Sequence, residues 1–370
     1  MFSELLKSIE NQYAKNLPFV VYRKPKEEDV QAVFQEDIAV HQIKDFTKAG
    51  FVFAPFDSLR PAILIPNEIT LTAKYEPQKV SRNIENDSFE NNASQKEFHI
   101  NLVKKGIFQI ENSAFKKVVL SRKVEILCDT SPLNLFQNLL DNYATAFCYL
   151  WHHPEIGTWL GATPEILLKS ENQQFTTMSL AGTQKYVEDE NPLWGNKELE
   201  EQQLVTDYIA NALQNSVSHL NIGERESTRA GNLWHLKTKL TGRIENGNLA
   251  KIIDALHPTP AVCGLPLNAT KTFILENENY NREYYTGFLG ELNFKSKKDR
   301  TSNSRNQENK AYRLIKNETI LFVNLRCMQL KDSSAHIYVG GGVTQDSDPE
   351  KEWQETVAKS KTMTQILTTD

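Results

Sequence analysis

The chain has 370 residues, a formal net charge of −5 and ordinary apolar and charged fractions. That length supports a large core, and the charge balance excludes a general polyanion binder while leaving room for a few basic residues around a small anion. No apolar run approaches bilayer length, and the four cysteines (Cys128, Cys148, Cys263, Cys327) are scattered without a CxxC pair, so a cytoplasmic protein with no membrane or nucleic-acid partner is expected.

Residues 1–16 are amphipathic, with Phe2, Leu5, Leu6 and Ile9 on one helical face and no signal-peptide cleavage signature. Short strand-like runs follow (PFVVY, FVFAPF, PAILIP). Residues 83–96, rich in Asn, Glu and Ser, read as a loop or boundary. From Glu97 the pattern predicts a helix. The strand KKVVLSRKVEIL comes next, with Val118, Leu120, Val124 and Ile126 on one face. PLNLFQNLLDNY is a helix, and FCYLWHH, TWLGA, EILLKS and QFTTMSLAG are strands. Residues 196–217 form a long amphipathic helix, NLWHLKTKLTGRI a strand, and 249–256 a short helix. Strands at GFLGELNF, TILFVNLRCMQL and AHIYVGGGV precede a closing helix over DPEKEWQETVAKSKTMTQIL. Residues 296–318 are almost wholly polar and resemble an exposed hairpin tip. Many strands with a few long helices predict an α+β layered fold. There is no steady βαβα alternation and no phosphate-binding GxGxxG loop.

Several residues stand out for chemistry. Glu352, Glu355 and Lys359 are spaced i, i+3, i+7 and share a helical face. Ahead of them, Gly340 to Gly342 carry no side chain to keep a ligand from the backbone. Glu198 and Glu201 repeat the i, i+3 theme. Two helices with a carboxylate pair each bring oxygen donors suited to Mg²⁺, although either pair also suits a solvated charged face. Lys117 shares a strand face with Val119 and Ser121, where partial desolvation of the ammonium favours the neutral amine that serves as a base, although a lysine at a strand start also suits a solvent-facing position. Glu165 enters an apolar strand, a setting that keeps a carboxylic acid protonated. Arg326 lies inside an apolar run and needs an anionic partner, internal or bound. His235, in LWHLKTKL, suits either a core histidine or a substrate contact. His257 lies in a loop stiffened by Pro258, Pro260 and Gly264.

Read in order, these segments resemble the chorismate-utilising enzymes, isochorismate synthases most closely. The motifs are KVVLSR (117–122), GATPEILL (161–168), SLAGT (179–183), KELEEQQLV (197–205), LWHL (233–236), LHPTPAVCGLP (256–266), NREYYTGFLGEL (281–292), NLRCMQL (324–330) and GGGVTQDSDPEKEWQETVAK (340–359). The resemblance implies one α+β domain, two large, mostly antiparallel sheets packed together with helices outside. Residues 1–95 would be its variable N-terminal part and 96–370 the chorismate-binding catalytic core.

Roles follow by the same resemblance. Lys117 would be the base that activates water and Glu165 the acid that protonates the departing hydroxyl. Glu201 and Glu355 would bind Mg²⁺ directly, with Glu198 and Glu352 supporting through water. Gly182, Thr183, His235, Arg326, Gly341 and Lys359 would contact chorismate. Lys117 separates the chain from ammonia-using relatives, and Ala261-Val262 separates it from salicylate-forming lyases. A lyase and a non-catalytic chorismate-binding protein are the alternatives. Gln202 replaces a histidine common in relatives, and Gly341 a common alanine. The expected product is isochorismate, for menaquinone or siderophore biosynthesis with menaquinone favoured, and the expected state is a monomer.

Overall fold

The strands of this protein include several buried on both faces, such as FVVYR, GFVFA, AILIP and FCYLWHH, as a position between another sheet and a helical layer requires. In the computed structural model, which describes residues 1–78, 93–187, 191–230, 233–245, 248–298 and 314–367, they form two nine-stranded antiparallel sheets. The first sheet runs β14 (Gly264–Leu265), β7 (Lys117–Leu127), β18 (Ser334–Val343), β17 (Cys327–Lys331), β9 (Gly157–Thr163), β8 (Phe147–His153), β1 (Phe19–Arg23), β2 (Asp29–Phe34), β6 (Ile69–Lys74). The second runs β12 (Val217–Ala230), β13 (Leu233–Ile244), β11 (Gln174–Lys185), β10 (Ile166–Glu171), β16 (Leu314–Val323), β15 (Phe288–Lys298), β4 (Gly50–Ala54), β5 (Ala62–Pro66), β3 (Gln42–Ile43).

Alternation along each strand decides what it meets. Tyr149, Trp151 and Trp159 of the first sheet meet Phe51, Phe53 and Phe322 of the second in an aromatic layer between the sheets. Leu150 and Leu160 point the other way, onto Leu5 and Ile9 of α1 (Phe2–Ala14) and Phe136 and Leu139 of α3 (Pro132–Asn142). The second sheet turns Leu168, Phe175 and Leu240 toward Val205 and Ile209 of α4 (Asn196–Leu213) and Ile252 of α5 (Leu249–Leu256). The helices α2 (Ala93–Glu111) and α6 (Leu267–Asn277) pack on β7 through Val103, Ile110 and Ile274. The last helix, α7 (Pro349–Thr364), starts at Asp348, whose side chain accepts from the Lys351 amide at 2.9 Å.

One expectation changes, and two further elements are found where none was expected. TILFVNLRCMQL is two strands: β16 ends in the second sheet at Val323 and β17 begins in the first at Cys327. Arg326 therefore sits at a crossover, with a left-handed φ of 48°, and not within a strand. Residues 217–230 form β12, an edge strand too polar and exposed to announce itself by apolar alternation. Residues 267–277 form a helix, α6, that the sequence pattern did not single out. The polar 296–318 segment does form a hairpin, since β15 pairs with β16 out to Lys298 opposite Leu314. Its tip, like most of the 83–96 segment, lies outside the described residues. The first 78 residues add strands to both sheets: β1 pairs with β8 and β4 with β15.

Candidate active site

Two chain crossovers between the sheets build one end of a cleft. The first, from β9 to β10, carries Pro164 and Glu165; the second, from β16 to β17, carries Asn324 to Arg326. They are bonded to each other. Val323 donates its amide to the Glu165 carbonyl at 2.9 Å and Ala162 donates to the Arg326 carbonyl at 3.0 Å. The Thr163 hydroxyl donates to the Val323 carbonyl at 2.6 Å. Glu165 and Arg326 thus reach a cavity of ≈ 210 Å³ from adjacent main-chain segments.

Lys117, Gly182, Glu198, Glu201, His235, Gly341, Glu352, Glu355 and Lys359 line the same cavity. The Thr183 side chain lies outside the described residues. Lys117, at the start of β7, is 3 % exposed, and its ammonium donates to Glu201 Oε1 at 2.5 Å. Across β18, Gly342 lies against this pair. A Cβ there would stand 3.0 Å from Lys117 Cε and 3.2 Å from Glu201 Oε1. A Cβ at Gly341 would stand 3.2 Å from Glu352 Oε2. The glycine run is therefore the space in which these carboxylates and Lys117 lie.

The shared face of α7 is turned to the cavity, as its spacing predicts. Lys359 pairs with Glu355 at 2.6 Å and donates to the Gly340 carbonyl at 3.0 Å. Burial acts to raise the Glu355 carboxyl, but Lys359 and Lys117 outweigh it and hold Glu355 below its ordinary value. On α4, Glu198 Oε2 accepts from the Gly195 amide at 3.0 Å and so caps its own helix.

Glu165 is 6 % exposed. Burial pushes its carboxyl up to about 7 against the pull of Lys117, Arg326 and Lys359. Arg326 is drawn down by its own burial, with Tyr143 and Glu165 acting in the opposite sense. His235 sits beside a bulge in β11 between Ala181 and Thr183. There Gly182 takes a φ of +73° and turns its carbonyl to accept from His235 Nδ1 at 3.0 Å. Burial lowers this imidazole to about 4, so it is neutral.

His257 is placed elsewhere. Its Nε2 donates to the Pro55 carbonyl at 2.9 Å, and the loop it opens contributes Ala261 and Val262 to the cavity. Three further lining residues carried no assignment from sequence: Tyr285, Thr286 and Tyr338. The rings of Tyr285 and Tyr338 stack with centroids 5.5 Å apart. Tyr285 and Thr286 belong to the NREYYTG segment, where a polar Thr-Gly step after two tyrosines marks the point at which an apolar run meets a cavity.

Two family models match the chain. One, described as chorismate binding enzyme, covers residues 57–299, about two thirds of the sequence, and a second of the same description covers 314–365. The protein belongs to the chorismate-binding enzymes. The match begins within the N-terminal part that carried none of the motifs above. Relatives of this chorismate-binding enzyme include isochorismate synthase DhbC of Bacillus subtilis, 26% identical over 85% of this chain and 80% of that protein. Isochorismate synthase EntC of Escherichia coli is 29% identical over 68% of this chain, a stretch spanning 62% of EntC. In structure it resembles MenF, the menaquinone-specific isochorismate synthase of Escherichia coli. The TM-score is 0.73 and the identity 18%, covering 95% of this chain and 89% of MenF. That likeness shows the two-sheet fold.

The donor set of this chorismate-binding enzyme fits a hard divalent cation, because four carboxylates line one cavity. They are not gathered into a ready cage. Among the described residues, no three acidic, histidine or cysteine side chains converge as a metal site. Glu201 and Glu355 are engaged by lysines and Glu198 by the Gly195 amide.

Proposed function

We propose that the protein is an isochorismate synthase, converting chorismate to isochorismate. The single observation that carries this reading is that buried Lys117 and buried Glu165, whose carboxyl is raised to about 7, line one cavity beside the cationic crossover residue Arg326. Relatives that carry the name isochorismate synthase align over most of the chain.

Chorismate brings two carboxylates and a poor leaving group. Arg326 suits a carboxylate, because among the described residues its guanidinium makes no hydrogen bond or ion pair with a protein group and its fork matches two oxygens. Lys359 and the backbone at Gly341 and Gly182 complete the anion contacts. The neutral His235 is held in place by its Nδ1–H, which donates to the Gly182 carbonyl. Thr183 is assigned to the substrate on the motif alone.

Lys117 acts as the base in its neutral amine form: Nζ takes a proton from a water, and the oxygen of that water bonds to ring carbon C2. The diene shifts around the ring. The C4 hydroxyl leaves as water, taking the proton of Glu165, which its burial has kept on the acid. Mg²⁺, when bound by Glu201 and Glu355 with Glu198 and Glu352 acting through water, would offset substrate carboxylate charge. The product is isochorismate, which both menaquinone and catecholate routes consume.

Chromatography of the products from chorismate tests the reading. Isochorismate alone supports it. Salicylate with pyruvate would assign a lyase, and binding without turnover a non-catalytic chorismate-binding protein.

A further inference from the structure

Behind the cavity lies an ion pair with no direct access to it. Glu278 and Arg282 bond at 2.6 Å, each side chain 1 % exposed. Their surroundings are an unfinished sheet edge. β14 pairs with β7 for two residues only, Gly264 opposite Val118 and Leu265 opposite Lys117. One more backbone bond, from the Val119 amide to the Cys263 carbonyl at 2.9 Å, ends that ladder. The Val119 carbonyl and the Ser121 amide face the same edge, since alternate residues of a strand present their polar groups to one side.

The ion pair supplies what the missing strand would have supplied. Arg282 Nη2 donates to the Val119 carbonyl at 2.8 Å, and Glu278 Oε1 accepts from the Ser121 amide at 2.8 Å and its hydroxyl at 2.7 Å. Arg282 Nη1 donates to the Val262 carbonyl at 3.0 Å. Val119 and Val262 both line the cavity, and so do Tyr285 and Thr286, which follow Arg282 in the chain. One guanidinium thus ties three walls together, two residues from Lys117. Stability alone is a poor reason for such a pair. Packed apolar residues serve a core as well as a buried ion pair does, but they cannot hold a carbonyl and an amide on an open edge.

We propose that Glu278 and Arg282 are positioning residues, fixing the β7 wall and hence Lys117 against the 261–262 loop and Tyr285. The effect on turnover rests on the isochorismate synthase reading. The test measures kcat, KM and thermal melting of the full chain for Ser121→Ala, Arg282→Lys and the double variant Glu278→Leu/Arg282→Met. Deuterium exchange of the 117–121 amides is followed in parallel.

Arg282→Lys is expected to lose about 30-fold or more in kcat with KM within about threefold. The double variant, relieved of any unpaired charge but leaving the Val119 and Val262 carbonyls and the Ser121 amide without these partners, is expected to melt below the wild type while keeping that loss. Ser121→Ala, the mildest change, is expected to lose about three- to tenfold in kcat at unchanged melting. Wild-type kcat in a variant that melts like the wild type would overturn the proposal. So would a double variant that regains rate together with stability, since the pair would then only hold the fold. Should the two Arg282 variants fail to fold, Ser121→Ala decides on the same terms. A wild type that yields no isochorismate would refute the functional reading instead. Positioning would then be judged by exchange at Ser121, expected to quicken about tenfold in Ser121→Ala and Arg282→Lys, and overturned by unchanged exchange.

Discussion

Glu165 and Arg326 stand on two neighbouring crossovers between the same pair of sheets, their main chains hydrogen-bonded through Val323 and Ala162. An acid and a guanidinium that lie far apart in the chain therefore share one rigid junction. Both stand on short connections, and the described strands on both sides anchor them.

Replacing the acid tests its role directly. Glu165→Gln is close in shape but has no proton to give, so kcat is expected to fall about 10²–10⁴-fold, with KM changed far less. Steady-state kinetics on the folded variant check this.

The same substitution has a signed effect on stability. The folded-state value of about 7 lies above the ordinary 4.5. Folding thus favours the protonated form, so the contribution is fully present below about 4.5 and is lost as pH rises through about 7. Glu165→Gln removes this penalty. It is expected to stabilise the protein at pH 8 by up to about 3 kcal/mol and to change little at pH 4. Melting curves of the two proteins at both pH values provide the comparison.

Turnover carries the same titration. The acid works only while protonated, so kcat/KM is expected to fall tenfold per pH unit above about 7. In kcat the limb is expected at the same pH or higher, because a bound dianion favours the protonated carboxyl. A flat profile between pH 7 and 9 would speak against Glu165 as the acid.

Much of this site is visible in the sequence because the chemistry sits in short local motifs. The i, i+3, i+7 spacing of Glu352, Glu355 and Lys359 puts all three on the cavity face of α7. The crossovers are less visible. Residues 319–330 read as one largely apolar run, and only pairing with distant strands shows that the chain changes sheets at Asn324–Arg326. β12 was hidden for the opposite reason: an exposed edge strand needs no apolar face. Tyr285 and Tyr338 look like core residues in sequence, since a cavity wall and a core wall use the same aromatic rings.

Arg326→Lys keeps the charge and loses the fork. With one point donor in place of two parallel N–H groups, substrate binding is expected to weaken by about 2 kcal/mol, roughly 30-fold in KM. A substrate titration of the variant measures it.

Gly342→Ala probes the space beside Lys117. The added methyl would stand 3.0 Å from Lys117 Cε and 3.2 Å from Glu201 Oε1, so the lysine has to move. About a hundredfold loss of kcat is expected, with near-normal melting.

The most direct test of the central claim is the product assay with chorismate, run with and without Mg²⁺ on the wild type, Lys117→Ala and Glu165→Gln. Isochorismate as the sole product of the wild type, formed with Mg²⁺ and lost in both variants, is the result expected from this cavity. Isochorismate formed at undiminished rate by either variant would contradict it.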